Sequence, residues 1–395
     1  MRYGYYPAEM TPRPATPQTA RAINDRAALE LFAARGALTA GQLQESTGLA
    51  RPTVMDLIGR LGEGGLIEQI GEVGADRRGP NARLYALAGR RARVAGVDVR
   101  MHVVRVAITD LAGHTLARST LSVPHSTPNA VPDAASLAAV TKDLAEALRA
   151  GTGPDKAPLH GVTIGMPGLI DPATGMVRPT STEASWHAGL AAALREALAT
   201  SDGLDPAAVV LENEVNLAGI AEHRATGTET FGLLWLGYGI GACLVLDGQL
   251  RRGASGGAGE LGFLKVPGTT QGDPVSNVCH GGLWQLINAE AAEALAASHG
   301  TTAHDFAHAA YRNELADRVA LGVAAFALVV DPGVVVLGGE LGRSGGALLA
   351  DAVELRLTEI CPVPTRVVPT AVPGNPILAG AVATALERVR AELWP

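Results

Sequence analysis

Residues 94–110 read VAGVDVRMHVVRVAITD, and this stretch decides the fold of most of the chain. Two apolar runs, 94–99 and 103–109, flank the bulkier residues Arg100, Met101 and His102. Continuous apolar runs of this length predict strands that are buried on both faces. The turn sequence DLAG at 110–113 predicts a hairpin between the second strand and a third over 115–123.

The same pattern returns later in the chain. A helix over 132–150 and strands at 161–165 and 209–211 follow the first hairpin. A second hairpin opens with 231–236 and 241–246, with Asp247-Gly248 as its turn, and helices near 283–298, 313–330 and 344–358 surround a strand at 334–337. The repeat predicts a duplicated, two-lobed α/β fold with a cleft between the lobes. We expect lobes over about 91–205 and 206–375, with a helix at 376–393 packing back.

The first ninety residues differ from the rest of the chain in composition and in their pattern of helices and strands. Four prolines within 1–17 predict a flexible tail, and 18–90 carries three helical segments followed by two short strands. The first helix has a possible apolar stripe at Ala22, Ile23, Ala27, Leu31 and Ala34. Three helices and a two-stranded ribbon are the order of a winged helix-turn-helix, which predicts DNA binding.

The candidate DNA-contacting residues fall on three parts of this domain. On the third helix they are Arg51, Pro52, Thr53 and Arg60; on the wing they are Arg77, Arg78, Asn81 and Arg83; and at the start of the middle helix they are Thr39 and Gln42. Arginine suits both phosphates and guanine edges. The alternative is a small helical domain with a solvated arginine loop.

Composition excludes several classes of protein. Of 395 residues, 47% are hydrophobic and 18% are charged, which excludes collagen-like and wholly disordered chains. The net charge of −7 argues against a nucleic-acid-binding protein that is basic throughout its length. Residues 1–90 carry 11 arginines and 9 acidic residues, so a mildly basic front end precedes an acidic remainder.

Cysteine usage and hydropathy bear on compartment. Cys243, Cys279 and Cys361 lie far apart, which predicts neither a disulfide framework nor a paired-cysteine metal motif. The sequence has no apolar run long enough to predict a membrane span. The N-terminal residues MRYGYYPAEM lack the apolar core of a signal peptide. We therefore expect a cytoplasmic protein without a membrane partner.

Five glycine-rich or polar motifs occur in a recognisable order. They are GMPG at 165–168, ENEVN at 212–216, GYGIG at 237–241, GGAGELG at 256–262 and VLGG at 336–339. This combination resembles the ROK family of repressors and sugar kinases, over about residues 19–392. The resemblance implies an actin/hexokinase-like body, and the repressor branch of the family carries an N-terminal winged helix.

Two departures from the family concern catalysis. Kinases of the family open the first strand pair with D-x-G-x-T, whose glycines let backbone amides approach ATP phosphates. Here Asp98 is followed by Val99, Arg100, Met101 and His102, which should block the phosphates unless Arg100 and His102 bind them by another route. Glu214 replaces the aspartate that serves as general base, so its longer side chain displaces the carboxylate. The resemblance therefore implies a degenerate catalytic site.

A third departure concerns metal. The family's zinc site uses a histidine, where this chain has Phe263, and a three-cysteine knuckle, reduced here to Cys279-His280-Gly281-Gly282. One thiol and one histidine do not supply four tetrahedral ligands. We expect no zinc, no other metal and no cofactor.

The residues that match the family's sugar-contacting positions remain. They are Gly168, Asn213, Glu214 and Glu260, with Gln285 as a further candidate across an alignment gap. Polar side chains of this kind orient a ligand in a cleft. His187 and His223 are expected to be surface or capping residues, with His223 at a helix C-terminus.

The sequence thus predicts a ROK-type transcriptional regulator, a repressor whose body binds a sugar or sugar derivative without phosphorylating it. Its partners would be double-stranded operator DNA, a small sugar effector and a second copy of the chain, as homodimer or tetramer. The alternatives are an active sugar kinase with an added DNA-binding head, and a DNA-binding protein with a vestigial pocket.

Overall fold

The computed structural model describes residues 16–74, 81–124, 132–150, 159–178, 182–202, 204–270 and 281–395. The chain forms two compact units. Unit 1 comprises the residues up to Ala92 together with Asp110–His114 and Val389–Pro395, and unit 2 comprises the rest. Most of the predicted tail, the wing residues Arg77 and Arg78, and the Cys279-His280 pair lie outside the described residues.

Unit 1 contains a winged helix-turn-helix, as predicted. Its elements are α1 (Pro17–Arg35), β1 (Leu38–Thr39), α2 (Ala40–Thr47), α3 (Arg51–Glu63), β2 (Ile67–Val73) and β3 (Ala82–Leu87). Thr39 caps α2 in a capping box with Gln42, and Gly48 ends that helix at a φ of 70°. The strands form an antiparallel sheet in the order β1-β3-β2.

The buried face of α1 differs from the predicted stripe. Ala28, Leu29 and Phe32 are buried, whereas Ile23 is 60% exposed. Alanine costs little on either face, so an alanine-rich helix gives a weak periodic signal. The larger Leu29 and Phe32 instead decide which face packs against the apolar residues of α2 and α3.

Two distant segments complete the core of unit 1. Trp394 is 9% exposed and belongs to the same apolar cluster as Phe32 and Leu57. Arg390 donates from Nε and Nη2 to the Leu111 carbonyl at 3.2 and 2.8 Å, and its guanidinium lies 5.7 Å from the Trp394 ring centroid. Ile377 and Ala381 of the closing helix belong to an apolar cluster of unit 2, as the predicted packing on the body requires, whereas the last turn of that helix belongs to the core of unit 1.

Unit 2 contains two lobes, each with a five-stranded sheet. The first sheet has the order β6-β5-β4-β7-β8 and the second has the order β11-β10-β9-β12-β13. The strands are β4 (Arg93–Val99), β5 (Val103–Asp110), β6 (Thr115–Ser122), β7 (Leu159–Met166), β8 (Val209–Asn213), β9 (Phe231–Leu236), β10 (Ile240–Leu246), β11 (Gln249–Leu250), β12 (Val334–Gly338) and β13 (Arg366–Pro369).

Strand order confirms the duplication. In each sheet the first strand lies in the centre, a hairpin lies on one side and parallel strands lie on the other. The helices are α4 (Ala134–Ala150), α5 (Thr182–Asp202), α6 (Glu214–Thr226), α7 (Trp284–Ile287), α8 (Ala289–Ser298), α9 (Ala309–Val330), α10 (Gly339–Ile360) and α11 (Pro376–Leu393). One large apolar core lies in each lobe.

Two details of the predicted lobes need correction. Strand β8 pairs in parallel with β7, so the first lobe extends to Asn213 and not to residue 205. The Asp247-Gly248 turn joins β10 to β11, not β9 to β10. Both residues have positive φ, 54° and 70°, as a tight two-residue hairpin requires.

Among the described residues, we find no helix with both the length and the apolar character that crossing a bilayer requires.

Candidate functional site

A polar cavity of about 130 Å³ opens where the two lobes of unit 2 meet. Gly168 and the start of α6 line it from the first lobe, and β10 and the loop that ends at Glu260 line it from the second lobe. Its polar side chains are Asn213, Glu214, Asn216 and Glu260. Four predicted ligand residues, Gly168, Asn213, Glu214 and Glu260, therefore come together.

Glycines let the backbone close around this cavity. Gly168 has a φ of +109°, a conformation that side-chain-bearing residues rarely adopt. A Cβ on Gly256 would collide with the Ile170 carbonyl, and one on Gly259 would collide with the Ala242 carbonyl. The GGAGELG motif therefore brings the Glu260 loop against both lobes, and no larger residue fits at these two positions.

Asn213 organises the first wall. Its Oδ1 accepts hydrogen bonds from the Val215 and Asn216 amides at 2.9 and 3.2 Å, which caps α6. Its Nδ2 donates to Glu214 Oε2 at 2.9 Å and to the Gly168 carbonyl at 3.2 Å. All of its amide groups have protein partners, so in this structure Asn213 orients Glu214 and Gly168.

Arg100 holds the other side of Glu214. Its Nη1 lies 3.8 Å from Glu214 Oε1, and its Nε lies 2.9 Å from Asp98 Oδ1. The guanidinium also lies 5.8 Å from the centroid of the Trp235 ring, in the second lobe. The residue after the first inner strand is thus engaged by carboxylates of the protein.

Glu212 and Arg252 form an ion pair behind the cavity. Arg252 donates from Nε to Glu212 Oε2 at 2.7 Å, and its Nη2 is also 2.7 Å away. Glu212 is only 4% exposed, and its Oε1 accepts from Asn216 Nδ2 at 2.9 Å. Because Arg252 precedes the Glu260 loop and Glu212 precedes Asn213, the pair joins the two walls. No sequence motif indicates this pair.

Glu260 carries a perturbed carboxyl group. Desolvation by the surrounding protein, together with repulsion from Glu214, raises the pKa of Glu260 to about 7 although the residue keeps an exposed surface. Near neutral pH the group therefore exchanges between a donor and an acceptor form. Either form hydrogen-bonds a hydroxyl group.

This perturbation predicts a pH-dependent stability difference. The pKa of Glu260 is about 7 in the folded protein, against an ordinary value of 4.5. Between these two pH values the unfolded chain loses the proton more readily than the folded protein does, so folding becomes progressively less favourable as the pH rises. Above about pH 7 the full penalty is present. Glu260→Gln should therefore raise the thermal midpoint relative to wild type at pH 8, and by less at pH 5. Scanning calorimetry at both values checks this. Glu293→Gln on the exposed side of α8 is the control, and equal differences at both pH values for Glu260→Gln would contradict the assignment.

Gln285 does not line the cavity. Its Oε1 accepts hydrogen bonds from the Thr270 backbone and hydroxyl at 2.9 and 3.0 Å. The prediction of ligand contact, which depended on an alignment gap, is not supported: the residue instead fixes the chain at Thr270.

The two singled-out histidines differ. His223 Nδ1 lies 2.9 Å from the Thr228 carbonyl just beyond the end of α6, as a capping role requires. His187 is 1% exposed. Burial, and to a smaller extent the positive charge of Arg100, lowers the pKa of His187 to about 4. His187 is therefore a neutral core residue, not a surface one.

The glycine turn between β9 and β10 packs against Glu340 of α10. The Glu340 carboxylate packs so closely on Gly237 that a Cβ there would collide with it. The turn between β4 and β5 carries Arg100, which is paired with Asp98. One turn therefore has the Glu340 carboxylate beside it, and the other has an arginine whose charge is balanced by an aspartate.

The described residues contain no group of three or more His, Cys, Asp or Glu side chains arranged to hold a metal ion. Phe263 ends the short 3-10 turn Leu261–Phe263 and supplies no ligand atom. Cys279 and His280 lie outside the described residues, so the absence of zinc stays a prediction.

In unit 1, the structure separates the candidate DNA residues into two groups. Arg51, Pro52, Thr53, Asn81 and Arg83 are exposed. Arg60 instead pairs with Asp25 of α1 at 2.6 Å and also with Asp56, so it ties α3 to α1. Thr39 and Gln42 are engaged with each other in the capping box, although Gln42 is exposed.

Comparison with known families now decides the relationship. Residues 94–388 match the model of the ROK family, which is about three-quarters of the chain. The chain belongs to the ROK family. The ROK body therefore begins at β4, immediately after the winged helix.

Both regulators and kinases resemble this ROK protein. The DNA-binding transcriptional dual regulator NagC of Escherichia coli K12 is 24% identical over 277 residues, which span 69% of this chain and 63% of that protein. A crystal structure of a ROK family transcriptional regulator, a homologue of the E. coli MLC protein, has a TM-score of 0.67 and 16% identity, covering 93% of this chain and 96% of that one.

A kinase shares the body. The ROK hexokinase from Thermus thermophilus has a TM-score of 0.56 and 26% identity, covering 76% of this chain and 99% of its own. These likenesses establish an actin-like ROK body with an added N-terminal head. They leave the choice between sensing and phosphorylation to the residues of the site.

Proposed function

We propose that this ROK protein is a DNA-binding transcriptional regulator, a repressor whose body binds a sugar or sugar derivative without phosphorylating it. The observation that carries the proposal is Arg100. It stands where kinases of the family have a phosphate-loop glycine, and its guanidinium pairs with Asp98 and Glu214.

The pairing of Arg100 supports a non-catalytic body on two grounds. A glycine loop binds phosphate through exposed amides, whereas here the Arg100 amide donates to the Val103 carbonyl at 2.9 Å. Glu214 stands at the position of the general base with a longer side chain than the aspartate of the kinases, and Asn213 and Arg100 fix where its carboxylate lies. Both parts of a phosphotransfer site are altered.

The cavity nevertheless suits a hydroxylated ligand. Glu214, Asn216 and Glu260 present oxygen and nitrogen atoms, and no lysine, arginine or histidine is among the described lining residues. Such a lining favours uncharged polyols over phosphorylated ones, because an added phosphate would face two carboxyl groups.

The head supports DNA binding. Arg51, Pro52 and Thr53 are exposed at the start of α3, the helix that enters the major groove in winged helices. Arg83 is exposed on β3, one strand of the wing. Two such heads in a homodimer or tetramer would bind a palindromic operator.

Arg51→Ala should weaken specific DNA binding by about 1–3 kcal/mol if the side chain contacts a base. The measurement is a fluorescence-anisotropy titration with a duplex selected from a random library by the wild-type protein. Arg26→Ala is the matched control, since Arg26 is an exposed arginine of the same unit that pairs with Glu30. Equal affinity of the Arg51 variant and wild type would place the DNA contact elsewhere.

The proposal as a whole is tested by asking whether a sugar alters DNA binding. D-glucose, N-acetyl-D-glucosamine and D-xylose are added to the protein on its selected duplex, and thermal shift is followed in parallel. We expect one of these sugars to change the DNA affinity and to raise the thermal midpoint. Sugar-dependent ATP turnover would favour the kinase alternative. No response of either kind would favour a vestigial pocket.

A further inference from the structure

Arg100 contacts groups that lie in both lobes. From the turn after β4 it pairs with Asp98 at 2.9 Å, and it lies 5.8 Å from the Trp235 ring of β9. Its side chain is 26% exposed, so the charge is partly withdrawn from water. Partly buried ion pairs are screened less by salt than exposed ones.

The partner that matters most is Glu214. This carboxylate lines the cavity and is held at Oε2 by Asn213 Nδ2, at 2.9 Å. The remaining oxygen, Oε1, faces the Arg100 guanidinium at 3.8 Å. Removing Arg100 would take away the cation beside Oε1, while the repulsion between Glu214 and Glu260 would remain.

Asp98 in turn fixes Arg100. Asp98 is 1% exposed, and its Oδ2 accepts from Asn375 Nδ2 at 2.7 Å. Arg105 also approaches Asp98 Oδ2, at 3.6 Å, but its side chain is 42% exposed. Arg100 is thus the arginine of this group that is placed between Asp98 and Glu214.

We propose that Arg100 is a positioning residue of the ligand pocket: its guanidinium fixes the Glu214 carboxylate in the orientation that accepts a sugar hydroxyl. This inference rests on the proposed sugar-binding function. It assigns to the segment that lost its phosphate loop a new role in sugar recognition, and it explains why a large cation is accommodated between Asp98 and Glu214.

A double-mutant cycle tests the proposal on the full-length chain. D-glucose, N-acetyl-D-glucosamine and D-xylose are first titrated into wild type by calorimetry and ligand-observed NMR. The sugar that binds is then titrated into Arg100→Met, Glu214→Gln and the double variant. We expect Arg100→Met to weaken binding about tenfold in the wild-type background. With Glu214→Gln present it should cost less than about twofold, because no carboxylate remains to be held.

The controls separate positioning from folding. Arg105→Met removes a neighbouring and more exposed arginine that also pairs with Asp98, and it should leave sugar affinity within about twofold of wild type. Arg100→Lys restores a charge and should recover part of the loss. Selected-duplex binding without sugar reports that each variant is folded.

The outcomes are distinguishable. The role of Arg100 is overturned if Arg100→Met binds the sugar with wild-type affinity. It is also overturned if Arg100→Met loses the same sugar affinity whether residue 214 is Glu or Gln. Either result leaves sugar sensing intact. If wild type binds none of the three sugars, the proposed function fails for this panel and the inference falls with it.

Discussion

Replacing Trp394 with alanine should abolish DNA binding and leave the sugar pocket intact. Trp394 is 9% exposed within the apolar cluster of the winged helix-turn-helix, although it is the penultimate residue of the chain. Truncating a buried tryptophan typically costs about 3–5 kcal/mol. A loss of this size is comparable with the whole stability of a small domain.

The contacts around Trp394 explain why the effect should be local to unit 1. The cation–π contact with Arg390 and the hydrogen bonds from Arg390 to Leu111 join residues of that unit alone. Leu111 is fully buried, and its amide donates to the Gly89 carbonyl at 3.3 Å. Removing the indole should therefore loosen the helices that carry the proposed DNA contacts.

Hydrogen exchange by mass spectrometry measures this directly. Peptides from α1, α2 and α3 should lose protection in Trp394→Ala, while those from the sheets of unit 2 should not. Deleting the exposed Pro395 alone is the control. Unchanged protection of the head, with wild-type affinity for the selected duplex, would show that the head is complete without its C-terminal segment.

The second large effect should come from Glu212→Ala. The substitution removes the acceptor of Arg252 and leaves the Asn216 amide, in a residue 5% exposed, without its partner. We expect about 2–3 kcal/mol loss of unfolding free energy and a sugar affinity reduced more than tenfold. The affinity falls because the Asn213–Glu214 wall and the Glu260 loop are no longer joined.

A matched control exists on α6, the helix that follows β8. Glu222 is 2% exposed and accepts from Thr370 Oγ1 at 2.7 Å and from the Ala371 amide at 2.9 Å. Neither of these partners lines the cavity, whereas Asn216, a partner of Glu212, does. Glu222→Ala should cost similar stability and leave sugar affinity nearly unchanged. Arg252→Met keeps the remaining bonds of Glu212 and provides a milder test. Equal affinity losses in Glu212→Ala and Glu222→Ala would mean that the pair only stabilises the fold.

Much of the fold was predictable because its strands are long apolar runs. The stretch 94–110 formed β4 and β5 as expected, and the repeat of strand, hairpin and helix became two sheets of the same order. The end of the first lobe was misjudged because Val209–Asn213 looks the same whether it closes one sheet or opens the next. Which strand a short strand pairs with depends on the tertiary structure, and the local sequence of the strand does not reveal it.

The site was predictable where it follows the family motifs and not elsewhere. Glu214 and Glu260 lie 46 positions apart in sequence, yet both line the cavity, as the resemblance implied. For Arg100 the sequence predicted an obstacle to phosphate or an alternative phosphate contact. It did not predict the ion pair with Glu214, because the two residues lie 114 positions apart and meet only in the folded lobe. The Glu212–Arg252 pair was missed for the same reason.

Arginines of the head illustrate a similar limit. Arg51 and Arg60 both fall on α3 and both suit DNA, but only the fold reveals that Asp25 of α1 is paired with Arg60. Helical spacing predicts which residues share a face of α3. It does not predict which neighbour will neutralise them.

The central claim is that this ROK body recognises a carbohydrate and does not phosphorylate it. The most direct measurement follows ADP release from MgATP by the full-length protein with saturating D-glucose, N-acetyl-D-glucosamine or D-xylose, beside a titration of the same sugar. The account predicts sugar binding with no sugar-dependent ADP release above background. Sustained ADP release that requires the sugar and disappears in Glu214→Gln would contradict it.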